Sequence, residues 1–329
     1  MCGGPMVKNG RTPRGAQRWL CKPCGATTGW RNDVRAKVFA QFLDFILGKT
    51  TYADMPGQGR TFRRRTEHLW CLWPISMPVE ETYRVIHVDG IYLRRIAVVL
   101  IAQADTGQVV AWHVARSETT ASYASLLAKI PPPQMVVADG ASGFVTACKQ
   151  LWPNTCIQRC TFHVQSQILR YTTRNPRTQA GVELMAIAKQ LGNPRTLDQR
   201  YQWVNNYYMW CHRSKQFLSE ITILENGTRI HTHQRLVKAR NLLNRLIRST
   251  ELFTYLDPSL YDENETIGTL PATNNRIEGA INSQLRQVLH QHRGMSINHQ
   301  LRLIGWWLYM HTPNPPTTSP TTTPNAHRH

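Results

Sequence analysis

The chain has 329 residues and 41 % hydrophobic content, enough for a sizeable core and for two or more domains. Lys and Arg number 39 against 20 Asp and Glu, a formal net charge of +19, which favours a polyanionic partner, most simply nucleic acid. No apolar run approaches the roughly 20 residues of a membrane span and no signal-peptide pattern opens the chain, so we expect an intracellular protein without a membrane partner.

Residues 1–30 form a short, Gly-rich segment that carries three of the eight cysteines. The uneven clustering of the cysteines favours metal binding over a disulfide framework. So small a unit has too little core to fold unaided, and a zinc ribbon, which needs two pairs of thiolates, would stabilise it. The candidate zinc ligands are Cys2, Cys21 and Cys24. A partner for Cys2 would precede residue 1, so the predicted ribbon is incomplete, and a loop with incidental cysteines is the alternative.

Apolar residues at helical spacing predict helices within residues 31–78, with a Pro-Gly-Gln-Gly turn before the last of them. A helix–turn–helix places its second helix on DNA, where arginines contact the phosphates. The candidate DNA contacts on that helix are Arg60, Arg63, Arg64 and Arg65. A solvated basic helix would give the same pattern, so that alternative stays open.

Residues 79–165 show strand and helix patterns in the order β-β-β-α-β-α-β. Three runs of β-branched and apolar residues predict consecutive hairpin strands. "QMVVADG" and "TCIQRCTFHV" predict two further strands, each preceded by a helix. This order is the layout of a ribonuclease-H-like domain, an α/β class in which three antiparallel strands precede parallel ones with helices on both faces.

The rest of the chain divides into three segments. Residues 166–266 carry apolar stripes on predicted helices and are expected to form an all-α insertion. Residues 267–312 contain the helix that would complete the core. Residues 313–329 are rich in Pro and Thr and are predicted to be disordered.

Three carboxylates are candidates for one site. Asp89 and Asp139 each precede a glycine at the predicted end of a strand, and in a ribonuclease-H-like sheet the first and fourth strands are neighbours. Glu278 is the one acid between Thr266 and the last residue, and its helix would bring a third carboxylate to the sheet. Like charges repel, and two hard cations such as Mg²⁺ would relieve that repulsion and catalyse phosphoryl transfer.

Each carboxylate also has a plainer interpretation. Asp-Gly is a common turn dipeptide, so Asp89 or Asp139 alone could simply end a strand. Asn275 followed three residues later by Glu278 fits a capping box at a helix start. For Glu278 the residues alone support the cap and a catalytic role about equally.

The chain from about Gly25 to His311 resembles the Mutator-type transposases of bacterial insertion sequences, a DDE superfamily with a ribonuclease-H-like core. The matching pieces are "HVDGIYL", "VVADGASGF", "QRCTFHV", "YTTRNPRTQAGVEL", "LFTYLDPSL" and "PATNNRIEGAINSQLRQVLHQHRGMS". The resemblance implies that Asp89, Asp139 and Glu278 are the DDE triad that holds the Mg²⁺ ions, with a helical insertion before the glutamate. It also implies a terminal zinc ribbon, and a C-x-x-H motif at Cys160 and His163. A lone Cys-x-x-His is half a zinc site, so we interpret this motif as a local brace near the active site or a DNA contact rather than a metal site.

These features together predict an enzyme. It would bind terminal inverted repeats and catalyse DNA strand cleavage and strand transfer with two Mg²⁺ or Mn²⁺ ions. If the N-terminal ribbon binds metal, that metal would be Zn²⁺. Further DNA contacts are expected from Arg276, Arg286 and Arg293. We expect a homo-oligomer in the bacterial cytoplasm, associated with the nucleoid, and no nucleotide cofactor, because no phosphate-binding glycine motif is present. The alternatives are a catalytically inactive DNA-binding remnant or regulator and, less favoured, a ribonuclease-H-like nuclease or resolvase.

Overall fold

The computed structural model describes residues 2, 4–13, 15–29, 35–275 and 277–313. The chain divides into two compact units, Met1–Leu72 and Trp73–His329. Arg276 and nearly all of the tail predicted to be disordered lie outside the described residues.

The N-terminal unit begins with a small antiparallel sheet in the order β1-β2-β3. Its strands are β1 (Met6–Arg11), β2 (Gln17–Cys21) and β3 (Thr27–Gly29). Cys21 ends β2, and the turn that follows it carries Cys24 and closes when the Gly25 N–H donates to the Cys21 carbonyl. The strands and this turn therefore bring the cysteines of the segment together.

Two α-helices follow in the same unit, α1 (Arg35–Leu47) and α2 (Arg60–Thr66). Short 3₁₀ turns span Tyr52–Asp54 and Pro56–Gly59 before α2, and a third, Glu67–Cys71, follows it. Aromatic rings hold the helices together, with the Phe45 ring 5.1 Å from that of Phe62 and 4.5 Å from that of Tyr52. The helices and intervening turn predicted for this segment are thus present.

The turn before α2 requires glycine at one position. Gly59 has φ +70°, and a Cβ there would lie 2.8 Å from the ring of Tyr52. The sharp reversal lets α2 pack on α1 while all four of its arginines, Arg60, Arg63, Arg64 and Arg65, remain exposed.

The second unit is built on a five-stranded mixed sheet in the order β6-β5-β4-β7-β8. The antiparallel strands are β4 (Val85–Leu93), β5 (Ala97–Ala104) and β6 (Val109–Ala115), and the parallel ones are β7 (Met135–Ala138) and β8 (Cys156–Arg159). The prediction that the first and fourth strands of this segment are neighbours is confirmed, because β4 pairs with β7.

Helices cover both faces of this sheet. On one face Ile86, Val88 and Val136 pack against α3 (Thr120–Leu127) and α4 (Ser142–Leu151). On the other, Val85, Met135 and Val137 pack against α5 (Thr161–Thr172) and the helices that follow. Alternate residues of β4 and β7 therefore serve two cores, which explains why β7 is apolar throughout.

The segment between residues 166 and 266 packs on the second face rather than apart from the sheet. Its helices are α6 (Gln179–Lys189), α7 (Leu197–Arg213), α8 (Lys215–Ser219) and α9 (Gln234–Arg248). On α7, Trp203, Tyr207 and Trp210 recur at helical spacing, are buried, and bond the carbonyls of neighbouring helices. Their large buried rings explain how a long insertion becomes part of the main core.

The prediction that this insertion is all-α is wrong, because it contains a β-hairpin. Strands β9 (Ile221–Ile223) and β10 (Arg229–His231) pair antiparallel. The turn between them contains Asn226-Gly227, with Gly227 at φ +78°. An Asn-Gly pair between alternating β-branched residues is a strong hairpin signal, and here it ends a helical pattern that periodicity alone would have continued.

A partly exposed ion pair closes the insertion onto the sheet. The Arg84 guanidinium, just before β4, lies 2.5 Å from Glu265 and also donates to the Leu260 carbonyl at 2.6 Å.

The last elements of the chain are a π-helical turn, Ile277–Asn282, then α10 (Ser283–Gln291) and α11 (Ile297–Met310).

Glu265→Gln is expected to destabilise the protein most at neutral pH. The Arg84 hydrogen bonds hold the pKa of Glu265 at about 2, below the 4.5 of an unperturbed glutamate. Because the folded pKa is the lower one, the stabilisation is fully present above pH 4.5 and is lost as the pH falls towards 2. Thermal melts of wild type and variant should therefore differ at about pH 7, and the difference should shrink below pH 4.5 and vanish only as the pH approaches 2. Glu263→Gln, at an exposed acid two residues away, is the control, and an equal gap at every pH would contradict the assignment.

Candidate active site

Asp89 lies within β4 and not at its end, which corrects the sequence prediction. The strand continues to Leu93 because residues 89–93 pair with β5, while the parallel partner β7 stops at Ala138, opposite Val88. The side chain is fixed by the Gly90 N–H, which donates to Oδ1 at 2.9 Å, and by the Asn282 amide, which donates to Oδ2 at 2.6 Å. Asp89 is thus presented where the parallel ladder ends.

Asp139 follows β7 directly, as predicted. Its Oδ1 accepts a hydrogen bond of 3.1 Å from the Ala141 N–H at the start of α4. Since Val88 pairs with Ala138, the two aspartates follow neighbouring residues on adjacent parallel strands.

The three predicted carboxylates lie close enough for the charges of Asp139 and Glu278 to affect Asp89. Desolvation by burial, opposed by the Gly90 N–H and reinforced by the charges of Asp139 and Glu278, raises the pKa of Asp89 to about 6. Their ligand atoms do not all lie within 4.8 Å of one another, whereas those of Cys160, His163 and Glu278 do. The acids therefore form a loose cluster in which Glu278 lies closest to the Cys–His pair.

Glu278 lies in the π-helical turn that precedes α10, and the capping box considered for it is not formed. Its own N–H donates to the Asn274 carbonyl at 3.1 Å, and the Asn275 N–H donates to the Thr273 hydroxyl. Its Oε1 lies 3.6 Å from Nδ1 of His163. A π-helical turn in a helix often marks a functional site, because the extra residue re-aims the side chains of that turn.

The C-x-x-H residues lie at the start of α5, where the sequence pattern had predicted strand. Cys160 is the N-cap residue and is completely buried, and the Asn274 N–H donates to its sulfur at 3.3 Å. The neighbouring Cys160 sulfur and the negative charges of Glu278 and Asp139 outweigh burial and raise the pKa of His163 to about 9. The protonated ring therefore offsets part of the negative charge of the acids.

Two asparagines that sequence reasoning missed hold these groups in place. Asn274 is completely buried, donates to the Val88 carbonyl at 2.8 Å, and lies 3.1 Å from Nδ1 of His87. Asn282 is 1 % exposed and holds Asp89. The two asparagines lie four residues before and four residues after Glu278, a spacing that places side chains on one face of a helix. This spacing could have linked them to Glu278.

Asn274→Ala is expected to lower the free energy of unfolding by about 1–3 kcal/mol, because the Val88 carbonyl loses its buried amide partner. The matched control is Asn275→Ala, at the exposed neighbouring asparagine, which should change stability by no more than about 0.5 kcal/mol. Urea denaturation of both variants measures the difference. Equal stabilities would show that the buried amide does not tie the turn to β4.

Two charged residues beside Asp139 were also missed. The Arg159 side chain, 5 % exposed, fills the space over Gly140, where a Cβ would lie only 0.8 Å from Nη1. Burial lowers the pKa of Arg159, and the charge of Asp139 partly restores it. The Glu118 carboxylate lies beside Gly90, and burial together with the charge of Asp139 raises its pKa. Arg159 lies within the matching piece "QRCTFHV", directly before Cys160, but the resemblance gave it no role, and Glu118 belongs to none of the matching pieces.

The remaining predicted residues fall outside the cluster. Arg286, on α10, and Arg293, after it, are exposed, and the Arg293 carbonyl accepts a hydrogen bond from Arg94. In the N-terminal unit the sulfurs of Cys2, Cys21 and Cys24 converge within 4.8 Å, with 3.5 Å between the first two. Three converging thiols suit Zn²⁺, and a fourth ligand is not among the described residues.

Fold and site together define a basic α/β protein with a carboxylate cluster on a mixed sheet, beside a Cys–His pair. A family model described as transposase, Mutator family, matches residues 75–250, more than half of the chain, and the chain belongs to this family of transposases. The family makes DNA the partner and DNA processing the activity. The matched segment contains Asp89, Asp139, Cys160 and His163 and ends before Glu278. No curated protein is matched by the chain. No helix among the described residues is long and apolar enough to cross a membrane.

Proposed function

We propose that this transposase is a DDE enzyme with a ribonuclease-H-like core, in which Asp89, Asp139 and Glu278 form the catalytic triad. The main support is the meeting of the three acids: two follow paired residues of adjacent parallel strands, and the third comes from a helix of the same unit. A sheet of three antiparallel and two parallel strands with helices on both faces agrees with that core.

The donor set fits a hard cation. The acids offer carboxylate oxygens. Burial, together with repulsion from the other two acids, raises the pKa of Asp89, and a bound cation would stabilise the charged carboxylates. Two Mg²⁺ or Mn²⁺ ions held there would supply neutralisation of the phosphate and activation of the attacking oxygen. No nucleotide cofactor is required for such chemistry.

The residues around the acids have separate tasks in this proposal. Asn282 and the Gly90 N–H fix the direction of the Asp89 carboxylate, and the Ala141 N–H does the same for Asp139. Arg159, beside Asp139, provides positive charge close to where phosphates would approach. Such preorganisation lowers the cost of assembling charge around the reacting phosphate.

Two successive reactions would follow. Water attacks the phosphorus at the element end, forming one P–O bond while the bond to the 3′ oxygen breaks and leaves a free 3′-hydroxyl. That hydroxyl then attacks a phosphorus of target DNA, and the target's own 3′ oxygen leaves. No covalent protein intermediate is needed.

DNA recognition is proposed for the N-terminal unit, through the ribbon-like segment and a helix–turn–helix whose exposed arginines lie on α2. Arg63 is less available for DNA contact than the other arginines of α2, because its guanidinium lies 4.3 Å from the centre of the Tyr52 ring. Pairing of two element ends favours a homo-oligomer.

A cleavage assay tests the proposal. Full-length protein is incubated with labelled element-end DNA and unrelated DNA, with Mg²⁺, Mn²⁺ or EDTA. Cleavage that leaves a 3′-hydroxyl at the element end, followed by strand transfer with either metal and neither step with EDTA, is the expected result. Specific binding without cleavage under any metal would instead support the inactive, regulatory alternative, and cleavage without end specificity would support a nuclease.

A further inference from the structure

Three side chains with different metal-binding chemistry meet at the start of α5. The Cys160 sulfur, a ring nitrogen of His163 and a carboxylate oxygen of Glu278 all lie within 4.8 Å of one another. The sequence pattern offers the first two as half of a site, because Glu278 lies far along the chain. The fold supplies the third ligand.

Two atoms of this cluster face each other at a distance too long for a hydrogen bond. Nδ1 of His163 and Oε1 of Glu278 are both buried and make no hydrogen bond to a described residue, although they are 3.6 Å apart. Buried polar atoms without hydrogen bonds are costly, so they indicate a missing ligand. A cation between the two atoms would satisfy both, and its binding would displace the proton from the His163 ring.

The Cys160 sulfur has the surroundings of a metal thiolate. It is completely buried, it lies at the N-terminus of the 12-residue helix α5, and the Asn274 N–H donates to it at 3.3 Å. An N–H donor and a helix N-terminus both stabilise negative charge on sulfur. The same asparagine is tied to β4, so the sulfur, like many metal ligands, is oriented by an outer partner.

We propose that Cys160, His163 and Glu278 form a site for a thiophilic divalent cation of the zinc class. Sulfur and imidazole nitrogen favour such an ion over Mg²⁺, and three protein ligands leave a fourth tetrahedral position for water or a phosphate oxygen. The site differs from the proposed Mg²⁺ site and shares only Glu278, whose second oxygen remains available to the aspartates. Binding at this site does not rest on the proposed function, because it requires no DNA.

The test uses Co²⁺ as a spectroscopic probe for Zn²⁺. Full-length chain with Cys21→Ser and Cys24→Ser removes thiolate signals from the N-terminal cysteines. In that background we expect one equivalent of Co²⁺ to bind, with a sulfur-to-cobalt charge-transfer band and the visible bands of a tetrahedral site. Cys160→Ser should abolish the charge-transfer band, whereas the control Cys156→Ser, at a half-buried cysteine of β8, should leave it intact.

Glu278→Gln tests the third ligand and is the safer variant, since this side chain is 30 % exposed and the amide has the same shape. Even outer-shell changes weaken metal sites roughly 10–100-fold, so we expect an affinity loss of about 100-fold or more. Circular dichroism verifies that each variant is folded. Absence of Co²⁺ binding in the parent, an unchanged band in Cys160→Ser, or unchanged affinity in folded Glu278→Gln would each overturn the site. Failure of Mg²⁺-dependent cleavage would contradict the proposed function and not this metal site, because the Co²⁺ experiments contain no DNA.

Discussion

Three substitutions are each expected to reduce DNA strand cleavage by at least about 100-fold while leaving DNA binding intact: Asp89→Asn, Asp139→Asn and Glu278→Gln. Each amide keeps the shape of the acid and removes the charge that would hold a hard cation beside the reacting phosphate. The arginines of α2 that are proposed to bind DNA lie on another element, so binding should persist or tighten slightly. Cleavage is followed on labelled element ends and binding by fluorescence anisotropy.

Glu225→Gln is the matched control, because Glu225 is an exposed glutamate in the β9–β10 turn. It should retain wild-type cleavage. Mg²⁺ should raise the melting temperature of wild type and of this control more than that of the three variants, since a ligand that binds the folded state stabilises it. Wild-type cleavage by any of the three would remove that residue from the triad.

Gly140→Ala is expected to lower the free energy of unfolding by about 2–5 kcal/mol, the sum of a backbone and a packing cost. Gly140 has φ +80°, which costs a residue with a side chain about 1–2 kcal/mol. The new Cβ would also lie 0.8 Å from Nη1 of Arg159, and relieving such overpacking typically costs about 1–3 kcal/mol. The arginine is 5 % exposed, so it has little room to move and would be pushed away from Asp139.

A second glycine separates the two contributions. Gly227 has φ +78°, and a Cβ added there would meet nothing within 4 Å, so Gly227→Ala measures the backbone strain alone. The extra loss of unfolding free energy in Gly140→Ala, compared with Gly227→Ala, then measures the collision with Arg159. This extra loss should be smaller when Gly140→Ala is made in an Arg159→Ala background. Urea denaturation gives all three values, and equal losses at the two glycines would show that Arg159 adapts freely.

The sheet and the approximate site could be predicted from the sequence because they depend on local signals. Alternating and continuous apolar runs identify β4 to β8, and the Asp-Gly pairs mark where Asp89 and Asp139 lie. The order of strands and helices then limits which strands can be neighbours. Those inferences need only the spacing of residues a few positions apart.

Other features depend on contacts that no local pattern encodes. β4 continues past Asp89 because β5 extends further than β7, a matter of pairing length. The proximity of Glu278 to His163, and of Arg159 to Gly140, arises only once separate elements pack. The hairpin in the insertion is an exception, because the Asn226-Gly227 pair is a local signal that predicts it.

The asparagine contacts also determine when the cluster can exist. Asn282 reaches Asp89 across 193 residues of chain, and Asn274 reaches Val88 across 186. During synthesis the sheet and both aspartates leave the ribosome long before Glu278 does, and contacts of such long range form late in folding. A nascent or prematurely terminated chain therefore holds two of the three acids without the third. If the three acids form the proposed triad, cutting of DNA would have to wait for the last part of the polypeptide.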